Sequence, residues 1–270
     1  MSDTRSYLEG KAGIRVVLIF AAAYFLSYAF RAINAVIAPD LVTDLQLSNA
    51  DLGLLSSAYF LGFASLQLPL GLWLDKHGPR RTESALLLFA AAGVAIFASS
   101  SSLTGLWIGR ALIGVGVSAC LMAPLKAYRS WYAPERQSQL SSWMLVFGTA
   151  GALSTTIPVA AALPFIGWRG VFWLMCVLVI MAATVVFFQL RKVEDDHMAQ
   201  TIYRGPAADT LSYWQIVSHP YFRRMALLGA VHQGGFMAVQ TLWAGPWMMR
   251  VLGLSATQTS QALFAFNFCL

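Results

Sequence analysis

Residues Gly71 to Thr82 read Gly-Leu-Trp-Leu-Asp-Lys-His-Gly-Pro-Arg-Arg-Thr, a charged turn between two long apolar runs. Leu52 to Leu74 and Ser84 to Ile108 contain no charged residue, and each is long enough to cross a hydrocarbon core of about 30 Å as a helix. Hydrocarbon offers no partners to an open backbone, so a chain that repeats this pattern folds as a bundle of membrane-spanning helices. Within the turn, Gly78 can close the preceding helix in the left-handed conformation, and Pro79 can start the next without needing an amide hydrogen. Arg80 and Arg81 can pair with Asp75 or with lipid phosphates.

Composition excludes most other classes. Hydrophobic residues make up 58% of the chain and charged residues only 11%, with a mean hydropathy of +0.63, a membrane composition. The net charge of +6 is spread over several inter-helix loops and forms no single basic stripe, which argues against a nucleic-acid partner. Cys120, Cys176 and Cys269 lie in apolar runs and suggest no disulfide framework. His77, His197, His219 and His232 show no spacing of a metal site. Gly114-Val-Gly116 sits inside an apolar helix and makes a poor nucleotide loop. No constellation for covalent catalysis emerges and no cofactor is implied, so an enzyme is not expected.

Candidate helices cover Ile14 to Ala38, Asp51 to Leu74, Thr82 to Ser99, Leu103 to Tyr128, Gln139 to Ala162, Trp168 to Leu190 and Phe222 to Trp247. An eighth begins near Thr257 and still runs at Leu270. The first apolar run continues past Arg31 and is read as a retained helix, not a signal peptide. Arg5, Lys11 and Arg15, then Lys76, Arg80 and Arg81, then Lys126, Arg129 and Arg136, then Arg191, Lys192, Arg204, Arg223 and Arg224 fall on one side. Only Arg169 and Arg250 fall on the other. The positive-inside rule therefore places the amino terminus in the cytoplasm. The expected domains are a cytoplasmic amino terminus (1–13), a six-helix transmembrane domain (14–190), a flexible cytoplasmic loop (191–221) and the start of a second, truncated transmembrane domain (222–270).

The turn resembles the loop between helices 2 and 3 of the major facilitator superfamily (MFS) of transporters, usually written G-x-L-a-D-R-x-G-R-R. Gly71, Asp75, Lys76, Gly78 and Arg80 match, Trp73 and Pro79 depart, and Arg81 adds a charge one place later. Leu106 to Gly116, with Arg110 and Gly-x-Gly, resembles the family's fourth helix. Pro134-Glu135-Arg136 resembles its turn after helix 4, and Gly167 to Phe172 its entry to helix 6. The Gly-Pro motif of drug/proton antiporters is missing from Gly148 to Ser154. The resemblance implies an all-α polytopic bundle whose six-helix domain consists of two inverted three-helix repeats. It also implies secondary active transport by alternating access in a bacterial-type inner or plasma membrane. The alternative is a transport-inactive scaffold, or a half-transporter needing a partner half.

Charge inside a bilayer is costly, at least about 2.5 kcal/mol per Arg on insertion scales, which singles out Arg31 and Arg110. Tyr24, Ser27, Tyr28, Arg31, Asn34 and Ala38 recur at three- and four-residue spacings and give helix 1 a polar face. Arg31, assisted by Asn34, Tyr28 and Tyr24, is the candidate holder of an anionic substrate group; snorkelling or binding to backbone carbonyls is the alternative. No Asp or Glu is expected within the body of helices 1 to 7, which favours an anionic substrate. Arg110 and His232 are candidates for coupling to a proton or another ion, or for purely structural contacts. Gln233 is a further candidate for substrate binding. Asp75, Arg80, Arg81, Glu135 and Arg136 are expected to form an ion-pair network at the cytoplasmic face.

Overall fold

A computed structural model describes the backbone of residues 7–155, 157–202, 213–238, 244–255, 258 and 262. It divides the chain into two compact units, Met1–Arg204 and Gly205–Leu270. In the first unit, α1 spans Gly10–Leu45, α2 Asn49–Ser99, α3 Leu103–Val117, α4 Ala119–Trp131, α5 Pro134–Ser154, α6 Ile157–Gln189 and α7 Arg191–Ile202. The second unit contains α8 (Tyr213–Ser218), α9 (Pro220–Ala238) and α10 (Ala244–Arg250). Gly10–Asn34, Ala50–Ser99, Leu103–Trp131 and Ala161–Gln189 are long and apolar enough to cross a membrane.

Two of these helices are folded rods. In α2 the backbone leaves helical geometry at Gly78 (φ 78°, ψ 165°), and in α6 at Gly167 (φ 63°, ψ 173°). Gly78 has the positive φ expected of a glycine stop, but its extended ψ lies outside the left-handed helical well. Each break turns one rod into two limbs, so the predicted second and third spans are the limbs of α2. The third span packs with Phe97 stacked on Phe172 of α6, ring centroids 4.4 Å apart.

Helix boundaries differ from the sequence expectations at three places. Helix α1 runs through Pro39 to Leu45 and ends on Gln46 in the left-handed conformation. Helix α5 starts at Pro134, with proline in the first turn, and ends at Ser154 rather than Ala162. There the hydroxyls of Ser154 and Thr155 bond back to Gly151 O and Ala152 O at 2.7 Å each, an alternative to continuing the helix. The segment expected to be a flexible loop is helical over its first part, as α7. In the second unit, α9 and α10 cover parts of the predicted seventh span, and residues 239–243 lie outside the described residues. Ser255 and Gln258 exchange reciprocal bonds of 3.0 and 3.2 Å, a capping-box arrangement, near the expected start of the eighth; residues 263–270 lie outside the described residues.

The tightest contact in the first unit is between α3 and both limbs of α2. A Cβ on Gly114 would fall on the Tyr59 carbonyl, one on Gly116 on the Ala90 backbone, and one on Gly109 within 2.8 Å of Phe97 N. Gly62 and Gly93 face α3 in the same way, against the backbones of Ala111 and Ile113. Small residues thus bring backbones together where lipid leaves little other drive for helix association.

Hydrogen bonds define the two ends of the bundle. At one end, Leu8 N donates to Trp131 O (2.8 Å) and Tyr132 Oη to Gly13 O (2.6 Å), while Arg15 bonds Gln189. At the other, Asp44 accepts from Trp168 Nε1 and from Arg169, both at 2.9 Å, and Arg169 also reaches Ser100 O. The Trp168 indole and the Arg169 guanidinium hold the Asp44 carboxyl below its ordinary value.

Two outcomes follow. Gly114→Val is expected to destabilise the protein by about 1–3 kcal/mol through overpacking, read as a lower midpoint in detergent melts. Asp44→Asn should lower Tm at neutral pH. A depressed carboxyl stabilises above its unfolded value and loses that contribution as pH falls through its folded value, so wild type and D44N should converge below about pH 4.

Candidate functional site

The polar face of α1 comes together with the aromatic residues of the first limb of α2. The Arg31 guanidinium carbon lies 4.8 Å from the Tyr28 ring centroid, 5.6 Å from Phe63 and 5.8 Å from Phe60. Tyr59 and Phe63, one turn apart, stack with centroids 6.5 Å apart. The Tyr59 hydroxyl sits beside Arg31 and donates to Ser27 O at 3.4 Å. Arg31 is half-buried under π faces, each worth about 0.5–2 kcal/mol to a cation.

Its polar needs are incompletely met. Arg31 Nε is buried with no hydrogen-bond partner, and so is Asn34 Oδ1 one turn further on. Among the described residues no carboxylate is within ion-pair distance of Arg31. Tyr24 and Tyr28 pack edge to face at 5.0 Å against Gly148 of α5, where a Cβ would come within 2.7 Å of Tyr24 and 3.1 Å of Tyr28. The glycine in place of the antiporter motif is thus the wall behind the two tyrosines.

Arg110 is wholly buried. Its NH1 donates to Phe30 O at 3.1 Å, and its guanidinium lies 5.3 Å from Phe97 and 5.8 Å from Phe172. Nε and NH2 have no partner. The bond to Phe30 O ties Arg110 to α1 at the residue before Arg31. His232 lies exposed on α9 of the second unit; the Gln233 side chain lies outside the described residues.

The charged turn is wired differently from the expected network. Asp75 pairs with Lys126 of α4, not with Arg80 or Arg81. Arg80, 3% exposed, turns inward to Glu194 of α7, also 3% exposed. Its Nε donates to Glu194 Oε2 at 2.6 Å, its backbone N–H to Oε1 at 3.1 Å, and its NH1 to Phe187 O at 3.1 Å. The cause is Gly78: the Glu194 carboxylate occupies the place of its missing Cβ. Gly71, Lys76, Arg81, Glu135 and Arg136 are exposed. A second expectation also fails: Glu83 is 0% exposed, so the bundle does contain a buried carboxyl.

The sequence reading missed Tyr59, Phe60 and Phe63. Their signal was an aromatic cluster at helical spacing within an apolar span, which resembles ordinary core. It also missed Glu194, one of several charges in a segment that reads as solvated loop.

A family model for the Major Facilitator Superfamily matches residues 20–270, and the chain belongs to that superfamily, whose fold is a polytopic helical bundle. It is 32% identical over 113 residues to the nitrate/nitrite transporter NrtP of Picosynechococcus sp., covering 42% of this chain and 21% of NrtP. It is 25% identical over 199 residues to a hexuronate transporter of Bacillus subtilis, covering 73% of this chain and 46% of the relative. The fold matches the crystal structure of a bacterial homolog of the human lysosomal transporter Spinster with a TM-score of 0.65 and 18% identity, over 96% of this chain and 60% of that one. The chain thus spans less than two thirds of each of these proteins.

Breaking a buried ion pair from one side strands the other charge. Glu194→Gln is therefore expected to cost about 3–5 kcal/mol. In thermal melts, the Arg80→Leu/Glu194→Leu double variant should lose less than the sum of the single variants.

Proposed function

We propose that this chain forms the amino-terminal half and the beginning of the second half of a secondary transporter that moves a small anion across a plasma or inner membrane by alternating access. The supporting observation is the Arg31 site. A cation held within the bundle by aromatic faces, with a buried Nε lacking a partner and no carboxylate paired to it among the described residues, is suited to accept an anionic group. A carboxylate, nitrate or phosphate offers oxygen acceptors to the guanidinium as charge-assisted bonds. Asn34, whose own oxygen is unpartnered, can orient its amide toward hydroxyls or oxygens of the substrate, and Tyr28 and Tyr24 form the wall.

Arg110 acts here as a positioning residue that sets the height of α1 through Phe30 O. The names of the nitrate/nitrite and hexuronate relatives fit the same reading, since both describe anions. The distribution of basic residues supports a cytoplasmic amino terminus, with the Gly78 turn on the cytoplasmic side. On this topology the Arg80–Glu194 and Asp75–Lys126 pairs brace the cytoplasmic end of the half during the conformational cycle.

The test is uptake by proteoliposomes containing the full-length protein, with labelled nitrate, phosphate, monocarboxylates, dicarboxylates and glucuronate. One of these anions should accumulate, and Arg31→Ala should abolish its uptake while leaving the melting midpoint near wild type. Arg31→Lys should retain only part of it, because an ammonium lacks the planar fork. Transport unchanged by Arg31→Ala would sink the site.

A further inference from the structure

Glu83 stands out among the ionisable groups of the first unit. It lies on the second limb of α2, is 0% exposed, and has no hydrogen-bond partner for either Oε1 or Oε2 among the described residues. Among the described residues, the ionisable groups of α4 that interact electrostatically with it are the Cys120 thiol and the Tyr128 hydroxyl, neither of them cationic.

Nearby donors are committed elsewhere. Tyr128 Oη lies 3.3 Å from Met144 Sδ, to which it donates. Ser84 Oγ donates to Arg80 O at 2.7 Å, and Thr82 Oγ1 to Trp73 O at 3.5 Å. Arg80, one turn earlier on the same helix, is taken by Glu194 and Phe187 O. Lys126 is taken by Asp75. An ionised carboxylate has only acceptor sites and in such surroundings would be a bare buried charge, whereas the neutral acid carries a far smaller penalty.

We infer that Glu83 is a proton-binding site, occupied while α2 and α4 are closed over it and emptied when they part at the Gly78 end. This rests on the alternating-access reading above. The acid R–COOH gives R–COO⁻ and a proton, which passes to water admitted between the two helices. The exposed Asp75–Lys126 pair bridges α2 and α4 at that end. Its loosening would let water in at that end, which ties proton exchange at Glu83 to movement of these helices. The ligand is thus a proton, and the coupling group is a carboxyl outside the Arg31 site.

The full-length protein in lipid should show the infrared carbonyl band of a protonated carboxylic acid at neutral pH. Glu83→Gln, nearly isosteric with the neutral acid, should remove it, and Glu83→Asp should shift it. An unchanged spectrum in both variants would overturn the assignment, because Glu83 would then be ionised. In proteoliposomes loaded with nitrate or glucuronate, E83Q should lose accumulation driven by a pH gradient while retaining counterflow at equal pH. Gradient-driven accumulation that persists in E83Q would overturn the coupling role. If none of the anions tested above moves in wild type or variant, the functional reading falls, and the infrared band still decides whether Glu83 holds a proton.

Discussion

The approach of α3 to both limbs of α2, backbone against backbone, is the constraint on which the first unit depends. Lipid does not press apolar helices together as water does, so association relies on close packing. Glycines at 62, 93, 109, 114 and 116 supply it by removing the side chains that would hold the backbones apart. Arg110 lies on that same helix between two of these glycines. With α3 locked in place, its guanidinium sits between Phe97 and Phe172 and reaches the Phe30 carbonyl of α1. A seam of glycines without side chains thereby sets the position of the polar face that carries Arg31.

The bundle handles buried charge in four different ways. Arg110 is wholly buried among rings with one carbonyl bond and two unpartnered nitrogens, Arg80 and Glu194 neutralise each other, Arg31 is half-buried with one unpartnered nitrogen, and Glu83 is left without partners. Chemistry requires some charge to be incompletely satisfied, since a fully paired group has nothing left to offer a ligand. On the proposed reading, Arg31 and Glu83 are the groups that meet a ligand, and the Arg80–Glu194 pair belongs to the scaffold.

The apolar runs, the glycine break at Gly78, and the prominence of Arg31 and Arg110 were legible in the sequence because they depend on local rules. Apolar run length sets a span, a positive φ calls for glycine, and an Arg among apolar residues needs an explanation wherever it lies. The helical state of Arg191–Ile202 was not legible, because its helix is anchored through Glu194 to a residue more than a hundred positions earlier. Asp75 likewise has Arg80 close by in sequence, yet its partner is Lys126. Nearness along the chain is a weak guide where a backbone break at Gly78 turns Arg80 away from Asp75.

By itself, the sequence determined that this chain is a helical membrane bundle of the major facilitator type, because hydropathy and turn chemistry act within a few residues of one another. Only the tertiary structure decided which charges are paired and which are not. Burial and pairing belong to the helices that surround a side chain, so Glu83, placed by sequence at the edge of a span, becomes a sealed and unpartnered acid once α4 packs over it.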